Sequence, residues 1–220
     1  APTSVAAQRS VFLARDLHRT LSGPNNEAMF LIGMAAQIET RHLNRSKKEE
    51  RRYIRRLIAQ ILVAAGKVLI QDLNKPKDAL EVLTKASKIG NETVWWDDAI
   101  IWQARAAVAN RSYDRGLALY QELMNSAESS WFVGSYDSEF MDDAFFEYGD
   151  ALKKANRLND ARKAFRKLIK EIPESRLRDD AAYELVMLAP NAQRKQALKL
   201  FLKQYPDSRH AKNAKKALKL

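Results

Sequence analysis

At 220 residues the chain is long enough for one domain or one solenoid with a continuous core. Seven glycines and six prolines leave few breaks, and the abundance of Ala, Leu, Lys, Arg and Glu is the balance of an all-helical protein. The absence of cysteine excludes disulfides, thiolate nucleophiles and cysteine metal sites, and the net charge of +11 leaves three readings: solvated helix faces, an anionic surface or acidic partner, or nucleic acid.

Residues 4–21 read as a first helix, with Val5, Phe12, Leu13, Leu17 and Leu21 apolar, and Ser22-Gly23-Pro24-Asn25-Asn26 breaks it. A second helix follows to about Leu43. Ser46 opens a long helix to about Asp72. Its start carries Lys47-Lys48, Arg51-Arg52 and Arg55-Arg56, partly offset by Glu49 and Glu50; its later part, Ile58, Ile61, Leu62, Ala65 and Leu69, is a packing stripe. Lys75-Pro76-Lys77 is a turn, Lys77 to Ile89 a partner helix, and Gly90-Asn91 is expected to close it as a left-handed cap. The most apolar stretches, Ala28 to Ile38 and Leu57 to Ile70, do not suit a membrane span: the first is too short and the second is interrupted by Gln60 and Lys67.

From here the chain repeats itself. Asp142-Asp143-Ala144-Phe145-Phe146-Glu147-Tyr148-Gly149-Asp150-Ala151-Leu152 forms one helix; a turn around Asn156 to Asn159 leads to Ala161, Ala164, Phe165, Leu168 and Pro173 on a second. Asp97-Asp98-Ala99 parallels its start 45 residues earlier, with Ala104, Gly116, Tyr120 and Leu123 in register with Gly149, Ala161, Phe165 and Leu168. Asp179-Asp180-Ala181 repeats the start 37 residues later, whereas the following helix, Arg194 to Tyr205, matches at 33, so four residues are missing near Pro190. Asp78 to Ala86 matches a second helix, and Glu27 to Ala35 faintly matches a first. Gly149 and Ala161 are small where paired helices must approach closely, and Phe145, Tyr148, Leu152, Phe165 and Leu168 fill the stripe between neighbours. The aspartate pairs sit in first turns, where each favours the helix dipole by roughly 0.3–1 kcal/mol. Such short hairpins cannot bury both apolar faces alone and must stack on copies of themselves. Ser208 to Leu220 places Ala211, Ala214 and Leu218 on one face, as a capping helix needs.

These residues resemble a tetratricopeptide-repeat (TPR) protein, best over 97–208 and most specifically over 142–175. The run Tyr205-Pro206-Asp207-Ser208-Arg209-His210-Ala211 is similar to repeat ends of bacterial envelope proteins: the periplasmic coordinator of the Tol–Pal system, the outer-membrane assembly lipoprotein, and the superhelical arms of soluble lytic transglycosylases. The resemblance implies an all-α, right-handed superhelix of stacked helix-turn-helix hairpins with a protein-binding role. The expected division is 1–59 irregular helices, 60–208 repeats and 209–220 a C-terminal cap. The long 125–141 insert, the short turn near Pro190 and the first quarter depart from the family pattern.

No catalytic residue, metal ligand or cofactor is expected: His18, His42 and His210 fall on separate elements, and neither a glycine-rich phosphate loop nor a nucleophile elbow is present. In this architecture the first helix of each hairpin faces the inner groove. By register Asp98, Ile101 and Arg105, then Asp143, Phe146 and Asp150, then Asp180, Tyr183 and Met187 are expected to point inward, where an acidic and aromatic mixture suits an extended or helical basic peptide. Trp131, Phe132 and Tyr136 in the 125–141 insert either grip a ligand or fold back to staple the hairpins. Of Trp95, Trp96 and Trp102, one is expected in the core and another exposed. The expected function is a non-enzymatic scaffold of the bacterial envelope that binds a protein or peptide, with an anionic surface or a peptidoglycan-associated assembly as a further partner. The alternatives are the non-catalytic arm of a lytic transglycosylase and a basic helical-repeat nucleic-acid binder. The expected location is the periplasm or envelope, with the cytoplasm as alternative; Ala1 in first place suits a processed secreted protein or an excised segment.

Overall fold

The computed structural model describes residues 5–129 and 138–218, and the described part is helical with no strand. The elements are α1 (Val5–Ile38), a π-helical turn (Glu39–Leu43), α2 (Lys48–Gln71), α3 (Pro76–Ile89), α4 (Trp96–Ala109), α5 (Tyr113–Ser129), α6 (Met141–Lys154), α7 (Leu158–Glu171), α8 (Arg178–Met187), α9 (Asn191–Gln204) and α10 (Ala211–Leu218). They form two compact units, Ala1–Leu119 and Tyr120–Leu220. Compactness thus divides the chain within α5, elsewhere than the repeat pattern does.

In the first unit, α1 breaks where the sequence expects it. Gly23 adopts φ 77° and ψ 178°, a conformation that L side chains avoid, and Pro24 opens the next helical run. The later run buries Ala28, Leu31, Ala35 and Ile38. The earlier run carries an ion-pair link: exposed Arg19 reaches Glu27 of the later run at 3.0 Å and Asp72 at 3.1 Å, and Glu27 is only 3% exposed. Leu13, Leu17 and Leu21 face outward. The stripe on α2 is buried as read, Ile58, Ile61 and Ala65 completely. It packs on α3 through Gly66, where an added Cβ would lie 2.5 Å from Leu83. Gly90 is not a left-handed cap: its φ is −81°, and the left-handed residue is Glu92 at φ 66°. Gly90 is small for another reason, since a Cβ there would lie 2.7 Å from that of Ala59 on α2.

The second unit holds the α6–α7 hairpin, the α8–α9 hairpin and α10. Phe165, Leu168, Ala161, Ala144 and Leu152 are at most 1% exposed. Helix α8 has 10 residues against 14 in α6, which accounts for the shortening near Pro190. Val186, Leu198, Phe201 and Ala214 form the last core, with Leu218 packed against it, and Ala211 is also buried while Lys212, Lys215 and Lys216 face water. Helix α10 therefore caps the final hairpin. The insert expected at 125–141 begins later, because α5 continues to Ser129.

A recurrent turn opens α4, α6, α8 and α10. The hydroxyl of Thr93, Ser138, Ser175 or Ser208 accepts the N–H two residues on, at 3.3, 3.3, 3.1 and 3.1 Å. The carbonyl of the same residue accepts the N–H three residues on, at 2.9–3.2 Å. These bonds satisfy amides that a helix start leaves without intrahelical partners. Inner turns of the hairpins close with left-handed Asn74, Arg111 and Asn156, and the next N–H reaches back to Leu69, Ala107 or Leu152 as in a Schellman cap.

Gly149 marks the closest approach of α6 and α7, since a Cβ there would lie 2.6 Å from the Phe165 ring. Gly149→Ala should therefore destabilise by about 1–3 kcal/mol, although glycine to alanine in a free helix stabilises by roughly 1 kcal/mol. Phe165→Ala should cost about 3–5 kcal/mol. Urea unfolding of both variants followed by circular dichroism checks this, and a neutral Gly149→Ala would refute the packing.

Candidate partner-binding site

The residues expected to line a groove divide by burial. Ile101 is completely buried, Asp180 is 5% exposed and Asp98 8%, so these three do not face an open groove. Ile101 belongs to the apolar stripe of α4. Asp98 is drawn onto Lys67 of α2 at 3.1 Å. Asp180 is held at 2.7 Å by both Arg209 Nε and His210 Nε2. Arg105, Asp143, Phe146, Asp150 and Tyr183 are half-buried, and Met187 is exposed. Trp131, Phe132 and Tyr136 lie outside the described residues. Trp95, Trp96 and Trp102 are all half-buried, not divided between core and surface; Arg105 lies 4.5 Å over the Trp102 ring.

The aspartate pairs do more than complement helix dipoles. Their second member reaches a basic group on a neighbouring element: Asp98 meets Lys67, Asp143 meets Arg176 at 3.3 Å, and Asp180 meets Arg209. Asp142 accepts the Ser175 hydroxyl at 2.8 Å. The Ser-Arg dipeptides at 175–176 and 208–209 are thus the complement of the Asp-Asp dipeptides. A sequence reading that aligns only apolar positions passes over that signal.

Along α6 the face bearing Phe146 and Asp150 is also internally satisfied. Phe146 packs on Phe165, and Tyr183 stacks on His210 with ring centres 4.2 Å apart. Lys153 Nζ bridges Asp150 at 3.1 Å and Glu184 at 2.7 Å, while Lys154 meets the other Asp150 oxygen at 2.7 Å. Burial pushes the Asp150 carboxyl up, but the hydrogen bonds from Lys154 and Lys153 outweigh it and hold the group below its ordinary value. Burial likewise lowers Lys153, and its bonds to Glu184 and Asp150 outweigh that and raise it. The expected acidic groove is therefore locally neutralised in this unit.

An open slot lies elsewhere in the second unit, among α5, α6 and α7. Phe145, Leu152 and Ala164, all buried, form its depth. Met124 and Tyr148 are half-buried beside them, and exposed Gln121, Asn125 and Lys163 stand at the mouth. The Tyr148 hydroxyl accepts a hydrogen bond from Gln121 at 2.9 Å, and Lys167 Nζ sits 5.3 Å over the Phe145 ring. The volume is about 370 Å³, near the lower end of the roughly 300–1,000 Å³ typical of ligand pockets. An apolar floor inside a polar rim suits one or two large side chains of another molecule.

A tetratricopeptide-repeat family model matches residues 143–175, running from the Arg176-paired Asp143 to the turn-forming Ser175. This segment is similar to a tetratricopeptide repeat. Solved structures extend the TPR likeness over nearly the whole chain. The nearly identical TPR-like repeats of a protein from Podosopora anserina match with a TM-score of 0.62 at 16% identity, covering 95% of this chain and 99% of that one. A singly substituted form of the same repeats matches at 0.61 and 16%, covering 93% and 95%. PilW, described as a widely conserved type IV pilus biogenesis factor, matches at 0.55 and 15%, covering 94% and 90%. At these identities the likeness is one of fold, that of TPR-like helical repeats. No curated protein matches the chain in sequence.

The charge bridge across α6 and α8 has a signed pH dependence. Asp150 sits below 3.8, so its contribution is complete above that value and is lost as pH falls through its folded value; Lys153 sits above 10.5, so its contribution persists until pH rises through its folded value. Lys153→Gln should cost about 0.5–1 kcal/mol at neutral pH, given its partial exposure. That cost should shrink near pH 3, as urea unfolding at the two pH values will show.

Proposed function

We propose that the chain is a non-catalytic docking scaffold of the bacterial cell envelope that holds a protein partner through an apolar side chain seated in the slot over Phe145, Leu152 and Ala164. The observation that carries the reading is the slot itself: an apolar depth with a polar rim, open on a repeat whose other charged face is already internally paired. TPR-like repeats support protein binding as the kind of work done. The fold likeness to PilW and the Tyr205-Pro206-Asp207-Ser208 repeat end support the envelope as the place. Among the described residues no helix is long and apolar enough to cross a membrane.

The half-buried rings of Phe146 and Tyr183, with exposed Met187, form a second contact face in this reading, engaged after an anchor has entered the slot. Binding energy concentrates in such anchors because a pocket desolvates them fully, whereas contacts at a wet rim contribute little.

A random peptide library panned on the chain should enrich sequences with one large apolar residue at a constant position. Asn125→Trp, which places an indole at the mouth of the slot, should weaken those peptides at least about tenfold while leaving the helical spectrum unchanged. Failure to enrich any peptide, or enrichment of peptides indifferent to Asn125→Trp, would overturn the site. Fractionation of native cells with an antibody against the chain tests the location; recovery only in the cytosol would overturn that part.

A further inference from the structure

The slot leaves the basic character of the first unit without a role. At the start of α2, a trough of about 870 Å³ opens between the helix and the turn at 91–93. Five cations line it, Lys47, Lys48, Arg51, Arg52 and Arg55, against two carboxylates, Glu49 and Glu92. Arg56 lines an adjoining hollow with Arg52 and Val94. All six cations are exposed. Among the described residues none of the six has an ion-pair partner, and Arg51 Nε donates to the Ser46 carbonyl at 3.0 Å. That sets the trough apart from the paired charges around Asp143, Asp150 and Asp180. Tyr53, 58% exposed, and Val94, 54% exposed, add apolar surface beside the cations.

The spacing of the charges, the shape of the trough and its single lining aromatic among the described residues together bear on which anionic partner fits. Lys48, Arg52 and Arg56 form one row along α2 and Arg51 and Arg55 a second, each stepping by four residues, with Lys47 just before the helix. Such a step advances about 6 Å along a helix. Side chains on one side of an extended peptide recur at about 6.6–6.8 Å. Alternate carboxylates of an extended chain therefore come into register with successive cations, and each arginine offers a fork that takes a carboxylate in two bonds. A duplex presents its phosphates on a convex rod too wide to enter a trough of this volume, whereas an extended peptide can lie along it. Single-strand binders stack successive bases on several aromatics, whereas Tyr53 is the one aromatic lining this trough among the described residues. A bilayer surface is flat and does not enter a trough.

We propose that this trough is a second docking surface, for an extended acidic peptide with alternating carboxylates next to an apolar residue that packs on Tyr53 and Val94. It extends the scaffold reading without depending on the slot. The partner segment would lose its charge repulsion on binding, and the attraction between exposed charges would weaken as salt rises.

The test is fluorescence anisotropy with a labelled peptide that alternates Glu and Ser around one Leu, at low salt and at physiological ionic strength. The triple variant Lys48→Gln, Arg52→Gln and Arg56→Gln should lose at least about tenfold in affinity. A control with the same net charge, Lys195→Gln, Lys199→Gln and Lys203→Gln on α9, should stay within about twofold, because these lysines do not line the trough. Arg52→Gln alone serves if the triple variant loses helicity. No binding of the Glu–Ser peptide at low salt, equal losses in the two triple variants, or tighter binding of a thymidine oligonucleotide or of phosphatidylglycerol vesicles than of the peptide would each overturn the proposal. Asn125→Trp should leave this affinity unchanged, so failure here and failure of the slot are told apart.

Discussion

Where two paired helices approach closely, one of them gives up side-chain bulk at the point where the other places it. Helices α6 and α7 have 14 residues each, lengths at which an isolated helix is marginal in water. Their stability comes from contact, and the contact depends on a glycine opposite a large residue. Gly149 receives the Phe165 ring in the second unit, and Gly66 receives Leu83 in the first. Without that approach the rings and branched chains of the partner helix would stand off the backbone, and the apolar stripe on each outer side would have no neighbour within reach. The same constraint explains Gly90, whose absent Cβ lets the end of α3 close on Ala59.

Around that apolar contact, polar groups organise the joints. Hydroxyl turns at Thr93, Ser138, Ser175 and Ser208 terminate one connection and start the next helix at a set angle. Aspartates then pair across elements with Lys67, Arg176 and Arg209. Asp98 and Asp180 are buried at these joints, so each needs its basic partner to offset the cost of burying a charge. Charge engaged inside the joints is not available to a partner. This is why the second unit offers a neutralised face and an apolar slot, while the start of α2 in the first unit retains cations that no joint uses.

Much of this is legible from particular residues. The recurrence of Asp-Asp-Ala, of small residues at 149 and 161, and of Phe165 and Leu168 at helical spacing identifies the hairpins and their pairing. The break at Gly23-Pro24 and the short connection at Pro190 are equally plain, because proline and glycine act on the local backbone wherever they stand. The groove residues are less legible. Register along a helix tells which residues share a face, but Asp98, Ile101 and Asp180 lie on a face that the adjacent element covers. Gly90 invites the commonest reading of a glycine at a helix end, whereas its role is set by Ala59, a neighbour on another helix that local sequence does not reveal. The slot has no sequence signature, since its depth is shared by residues already accounted for as core.

Local chemistry and periodicity were thus enough, by themselves, to determine that this protein is a chain of short amphipathic helices, where most of them begin and stop, and which side of each is apolar. Those properties are set by neighbours within a few positions along the chain. Only the tertiary structure decided which charges are consumed in joints, which leucines of α1 face outward, and where an apolar hollow stays open. Those outcomes depend on contacts between side chains far apart in sequence, as when Arg19 meets Asp72 while Leu13, Leu17 and Leu21 of the same run are left facing the solvent.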